Sequence, residues 1–151
     1  MSPEALRRVR ESYASFAPRM PELTAAFYRR LFARRPDLRP LFRDDLTLQE
    51  RHLAASLELI ALNLAMLDAL EEPLRQLGAD HARAGVRAAD YPPVVETLLE
   101  VIGEALAGVP ASSDASRAES AADWRRLLEA VGRHMLAGAT RVEPDRPAAR
   151  P

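Results

Sequence analysis

The chain has 151 residues, enough for one domain with a substantial core, and its hydrophobic and charged fractions of 48% and 28% are ordinary for a globular protein. Its 21 basic side chains, all arginine, are interspersed with 22 acidic ones, which argues against nucleic acid as a partner. The absence of cysteine excludes disulfides, thiolate metal sites and cofactors attached through cysteine. No stretch resembles a signal peptide or a membrane helix, so we expect no membrane partner and a cytoplasmic location.

Apolar residues recur at helical spacing along nearly the whole chain, and no stretch alternates with the period of two that strands require. Ser2 before Pro3 predicts the start of a first helix, which Pro18 and Pro21 interrupt. A second helix is expected to end before Pro36, because proline disfavours helical backbone in the residue that precedes it. The proline-bounded segment that follows is too short for more than a turn or two.

The pattern Thr47 to Glu50 matches a capping box, in which each side chain satisfies a free backbone amide at a helix start. It predicts a third helix that begins after Thr47. Pro73 is expected to start the fourth helix, since proline suits the first helical position. Gly85 is expected to end it, because glycine tolerates the left-handed backbone of a helix C-terminus.

Asp90 precedes a strongly apolar fifth helix, and a second capping box at Ser116 and Glu119 predicts the start of the last helix. We therefore expect an all-α fold of six or seven helices. Residues 1–142 would form the single domain, and residues 143–151, which contain three prolines, a disordered tail.

His81 lies one helical turn after Leu77 on the apolar face of the fourth helix, so its imidazole is expected to point into a dry interior. Burying an unpaired imidazole is costly, and a bond to a metal would remove that cost. A core histidine satisfied by another polar group is the alternative interpretation. No second ligand with zinc-site spacing is nearby, whereas a single histidine suits haem iron, to which the porphyrin already contributes four nitrogens.

Two stretches of the chain resemble the bacterial globins of the flavohaemoglobin and single-domain haemoglobin branch. They are FYRRLFARRPDLRPLF at 27–42 and LGADHARAGVRAADYPPVVETLL at 77–99, and the resemblance covers roughly residues 4–142. It implies the globin fold, with the helices around a pocket for non-covalently bound haem b. It also implies reversible binding of oxygen, or of carbon monoxide or nitric oxide, by a monomer or homodimer.

The resemblance assigns a role to individual residues. His81 matches the proximal iron ligand, Tyr28 the distal tyrosine that donates a hydrogen bond to bound oxygen, and Gln49 the distal glutamine. Phe42 matches the phenylalanine that packs flat against the haem. The remaining expected haem contacts are apolar or aromatic: Phe32, Leu53, Leu57, Leu77, Val86 and Val94.

Two positions depart from the family pattern. His52, three residues after Gln49, is either a surface histidine near the haem edge, which we favour, or a sixth iron ligand. Tyr91 matches a tyrosine that contacts the cofactor site and, together with a glutamate on the last helix, hydrogen-bonds the proximal histidine. Alignment on Trp124 places Ala139 where that glutamate is expected, so His81 should push less electron density onto iron.

Three functions are compatible with this resemblance. Reversible gas binding is favoured, without catalysis by the chain alone. Nitric oxide dioxygenation is the alternative from the enzyme class, and it would need a separate reductase; the missing glutamate counts against it. Gas or redox sensing is the third. The fold does not choose between them, because globins carry, sense and catalyse on one scaffold.

Overall fold

The structure is a computed structural model that describes residues 1–109 and 113–142. Those residues form six α-helices and no strand, which confirms the predicted all-α class. The helices are α1 (Pro3–Phe16), α2 (Met20–Arg34), α3 (Thr47–Leu62), α4 (Leu67–Arg83), α5 (Tyr91–Ala107) and α6 (Asp114–Ala139). Short 3₁₀ turns lie at Ala17–Arg19, Pro36–Leu41, Leu64–Met66 and Ala88–Asp90. The predicted tail, 143–151, lies outside the described residues.

The helix boundaries in the N-terminal part follow the sequence signals. The Ser2 hydroxyl accepts a hydrogen bond from the Ala5 amide at 3.2 Å, which caps α1 as predicted. Pro18 lies in the 3₁₀ turn after α1, whereas Pro21 lies in the first turn of α2, where a missing amide costs nothing. α2 ends at Arg34, before the proline that follows it. No helix in the described ranges has both the length and the apolar character needed to cross a membrane.

Both predicted capping boxes are wrong. Thr47 is the first residue of α3 and not its cap, and its amide donates to the Asp45 carboxylate at 2.9 Å. The acidic side chain two residues earlier therefore competes successfully with the predicted box. α6 begins at Asp114, where the Ser113 hydroxyl accepts from the Ser116 amide at 3.1 Å. Ser116 is thus a donor within the first turn.

The predicted start of α4 is also wrong, because the helix begins at Leu67 and Pro73 lies inside it. An interior proline removes one backbone hydrogen bond and clashes with the preceding turn, at a cost of about 3 kcal/mol. Tertiary packing offsets this cost, since α4 packs mainly along α6.

The main core lies between α1, α2, α3, α5 and α6. Its largest fully enclosed side chains are Phe16, Leu31, Leu64, Ile102, Trp124 and Leu127. Trp124 is 0% exposed, and its indole N–H donates to the Ser12 hydroxyl at 2.9 Å, so the one polar atom of this large side chain is satisfied. The core therefore fixes α6 against α1.

Two glycines let α4 and α6 meet backbone to backbone. A Cβ atom on Gly78 would lie 1.8 Å from the Met135 carbonyl oxygen, and one on Gly138 would lie 1.7 Å from the Arg75 carbonyl oxygen. No side chain fits at such distances. α4 is thus held on α6, whereas α3 packs on α1 and α2. Among the described residues α3 and α4 make little direct contact with each other.

An ion pair between Arg35 and the buried Asp90 connects two distant parts of the chain. Asp90 is 1% exposed and accepts from the Arg35 guanidinium at 2.8 Å and from the Arg87 amide at 2.8 Å. Arg35 follows α2 directly, and Asp90 directly precedes α5. The pair therefore links the turn after α2 to the connection between α4 and α5.

Candidate functional site

Four aromatic side chains form a contiguous group on α2 and the residue that ends the following turn. Tyr28 is 3% exposed, and the centroid of its ring lies 4.8 Å from that of Phe27, 5.9 Å from Phe32 and 5.6 Å from Phe42. Phe32 and Phe42 are 5.2 Å apart. We call these four residues the aromatic cluster. It brings together three residues that the resemblance assigned to the haem site: Tyr28 as the distal tyrosine, and Phe32 and Phe42 as haem contacts.

The Tyr28 hydroxyl lies near the side chain of Gln49, which is half-buried in the first turn of α3. Burial raises the pKa of Tyr28 to about 12; a hydrogen bond from the Gln49 side chain acts in the opposite direction, and the charge of Glu50 raises it further. Tyr28 therefore keeps its proton throughout the neutral range. Its hydroxyl can act as a hydrogen-bond donor there.

This shift has a measurable consequence for stability. The tyrosine ionises near pH 10 in the unfolded chain but only near pH 12 when folded, so the free energy of unfolding should fall as the pH rises from 10 to 12. The contribution of Tyr28 amounts to about 2.5 kcal/mol. Urea unfolding of the wild type and of Tyr28→Phe across this range measures it. The variant should show a shallower loss, and identical slopes would contradict the assignment.

His81 is half-buried on α4 and not enclosed as predicted; among the described residues α4 packs mainly on α6 and makes few or no contacts with α3. Its Nδ1 lies 2.8 Å from the Leu77 carbonyl oxygen. A carbonyl oxygen can only accept, so Nδ1 carries the proton and donates it. In the neutral imidazole Nε2 then holds the lone pair, which is how metal-binding histidines are oriented.

The end of α4 places two apolar side chains beside His81. Gly85 has a φ of 97°, a left-handed conformation, and ends the helix as predicted. Its amide donates to the Ala82 carbonyl and the Val86 amide to the His81 carbonyl, both at 3.0 Å. Val86 is half-buried, and Leu77 is 39% exposed although apolar. The apolar surface next to His81 is therefore incompletely covered.

Tyr91, in the first turn of α5, has a buried hydroxyl with no hydrogen-bond partner among the described residues. Burial, together with the charge of Asp90, raises the pKa of Tyr91. Leaving a buried hydroxyl unpaired costs about 1–3 kcal/mol. His81, its expected partner, makes its hydrogen bond to Leu77 instead.

The remaining predicted residues lie on α3 and α5. Leu53 and Val94 are half-buried and pack against the core, whereas Leu57 is 2% exposed and belongs to the core itself. His52 is exposed on α3. In the part of the chain that the structure describes, no three metal-ligating side chains come together.

Comparison with known proteins identifies the fold. A sequence model of the globin family matches residues 25–135, well over half of the chain. The chain belongs to the globin family. The half-buried His81 and the aromatic cluster therefore lie in a fold for which haem is the expected cofactor.

Solved structures of bacterial proteins resemble this globin closely in fold. It is 27% identical to an engineered carbene transferase built on a proposed nitric oxide dioxygenase from Rhodothermus marinus, with a TM-score of 0.76 over 93% of this globin and 94% of that chain. A bacterial globin from Campylobacter jejuni is 18% identical, with a TM-score of 0.74 over 93% and 97% of the two chains. An uncharacterised globin-like protein of Aquifex aeolicus (strain VF5) is 28% identical over 106 residues, which is 70% of this globin and 76% of that protein.

Proposed function

We propose that this globin reversibly binds oxygen, or another diatomic gas, at a non-covalently held haem b with His81 as the iron ligand. The hydrogen bond from His81 Nδ1 to the Leu77 carbonyl carries the proposal, because it leaves the Nε2 lone pair available for a metal. The incompletely covered Leu77 fits a site that a large, flat and mostly apolar group completes.

Haem, when bound, would supply a ferrous iron with one position for a diatomic gas. Tyr28 remains protonated at neutral pH and would donate a hydrogen bond to a gas that gains negative charge on binding, which would favour oxygen over carbon monoxide. Gln49 orients that hydroxyl and offers a second donor. Leu53 and Val94, which are half-buried against the core, would exclude water and so slow the oxidation of ferrous iron.

The visible absorption spectrum of the purified protein tests the proposal. It should be recorded in the ferric state, after reduction with dithionite, and after addition of carbon monoxide. We expect an intense haem band and a single broad ferrous peak in the visible region that splits when carbon monoxide is added. If no haem band forms, even after hemin is added, the proposal is wrong.

The same spectra decide the role of His52. We expect His52→Ala to leave the ferrous spectrum unchanged, because His52 is exposed on α3. His134→Ala, which removes a half-buried histidine from α6, is the matched control. Two sharp ferrous bands that appear in the wild type and vanish only in His52→Ala would make His52 the sixth ligand.

Nitric oxide dioxygenation is a second candidate, supported by the likeness to the Rhodothermus marinus chain and by the Tyr28 and Gln49 donors. In this reaction nitric oxide and oxygen combine to nitrate with the uptake of one electron, which a separate reductase would supply. Nitrate formation should be measured with a generic flavin reductase and its reduced nicotinamide. Catalytic nitrate production would favour the enzyme, and a single turnover would favour the carrier.

A further inference from the structure

Arg39 holds the segment that leads from the turn to α3. Its Nη1 donates to the carbonyl oxygens of Phe42 at 3.3 Å and Arg43 at 2.8 Å, and its Nη2 donates to that of Asp44 at 2.9 Å. Three consecutive peptide groups thus share one guanidinium. Because this segment lies between the 3₁₀ turn and α3, its carbonyls have no helical partners, and Arg39 takes their place.

The same guanidinium also covers the aromatic cluster. Its Cζ atom lies 5.2 Å from the centroid of the Phe32 ring, a distance suited to a cation–π interaction. Phe32 contacts both Phe42 and Tyr28. A single side chain therefore contacts the backbone of Phe42 and one of the three rings that pack against Tyr28.

Arginine is the residue that this geometry requires. Its planar group presents several N–H donors in fixed directions and stacks on an aromatic face, whereas lysine offers one compact charge. Within the described residues Arg39 forms no ion pair with a carboxylate, unlike its neighbours Arg34 and Arg35. Its contacts are backbone carbonyls and a ring, so its role depends on shape more than on charge.

We propose that Arg39 is a positioning residue for the distal side of the site: it clamps the Phe42–Asp44 backbone onto Phe32 and so holds Phe42 and Tyr28 in place. The inference rests on the proposed function, since it predicts how firmly haem is retained and how constantly the Tyr28 hydroxyl faces a ligand. If Arg39 acts as a clamp, Arg39→Lys should lose its effect; if Arg39 acts only as a positive charge, Arg39→Lys should behave like the wild type.

The variants Arg39→Ala and Arg39→Lys test this, with Arg43→Ala as the matched control. Arg43 is exposed in the same segment, and its side chain makes no hydrogen bond or ion pair among the described residues. The control therefore removes one positive charge but leaves the clamp intact. Two measurements are made on each protein. The first is the rate at which the ferric protein transfers haem to an excess of haem-free acceptor globin. The second is the C–O stretching frequency of the carbon monoxide complex of the reduced protein.

We expect both Arg39 variants to release haem about tenfold faster or more, as the loss of charge-assisted hydrogen bonds implies, and to broaden or shift the C–O stretch. Arg43→Ala should match the wild type in both. A wild-type release rate and C–O stretch in Arg39→Ala would overturn the proposal. So would full wild-type behaviour in Arg39→Lys, because charge alone would then suffice. A purely structural role would lower thermal stability without moving the C–O stretch, and that result too would overturn it.

A third measurement needs no haem and separates this inference from the proposed function. If the wild type takes up no haem, the proposed function fails, but the clamp can still be tested by ultraviolet titration of tyrosine in the haem-free protein. Tyr28, identified by comparison with Tyr28→Phe, should lose its proton at lower pH in Arg39→Ala and Arg39→Lys than in Arg43→Ala. Equal titration in all three would overturn the clamp. Should Arg39→Ala fail to fold, Arg39→Lys carries the same comparison.

Discussion

Alanine at Gly78 or Gly138 is expected to lower the free energy of unfolding by about 3 kcal/mol, the cost of forcing atoms into a filled contact. A decrease in stability is unusual for this substitution, because exchanging glycine for alanine inside a helix normally raises the free energy of unfolding by about 1 kcal/mol. Here the new Cβ would lie 1.8 or 1.7 Å from a carbonyl oxygen of the opposite helix. Backbone atoms cannot swing aside as a flexible side chain can, so α4 and α6 must separate.

Gly103→Ala is the control for this prediction. Gly103 also lies inside a helix, α5, but nothing lies within 4 Å of the Cβ atom that alanine would add. It should therefore stabilise the protein by up to about 1 kcal/mol. Urea unfolding followed by circular dichroism measures all three variants. If Gly78→Ala stabilises as Gly103→Ala does, the two backbones are not in contact.

The double variant adds a geometric test. One outward shift of α4 would relieve both clashes, so Gly78→Ala combined with Gly138→Ala should cost clearly less than the sum of the single changes. Strict additivity would mean that the two contacts are independent. Gly78 lies one turn before His81 on α4, and a displaced helix should also alter the position of the His81 imidazole.

Local signals in the sequence were sufficient for much of the fold. The helical periodicity, the Ser2 cap and the glycine at position 85 act within a few residues, and the structure confirms them. The start of α4 could not be read in this way, because packing of the helix along α6 offsets the cost of Pro73. The start of α3 was misplaced because Asp45 and Thr47 are both good cap formers, and sequence alone does not rank them.

The residues of the candidate site also differ in whether the sequence could indicate them. Resemblance to the globins named Tyr28, Phe42 and Gln49, and the structure brings these three side chains together. It could not indicate Arg39, because the acceptors of its hydrogen bonds are backbone carbonyls, which every residue has. The same holds for the buried Asp90, whose partner Arg35 is 55 residues away and one of 21 arginines.

His81→Gly should weaken haem binding by more than about a hundredfold, since even changes to the groups that orient a metal ligand cost 10- to 100-fold. Titration with hemin measures this loss. His52→Gly is the control, because it removes an exposed histidine from a helix and incurs the same helix cost of about 1 kcal/mol. It should bind haem like the wild type.

Free imidazole then separates ligation from support of the fold. Added to His81→Gly, it can enter the space left by the side chain and offer a nitrogen to iron, but it cannot rebuild the link from residue 81 to the Leu77 carbonyl. Recovery of the five-coordinate ferrous spectrum would thus assign His81 to the iron itself. A wild-type spectrum in His81→Gly without imidazole would exclude His81 as the iron ligand. A loss of haem binding confined to His52→Gly would make His52 on α3 the ligand instead.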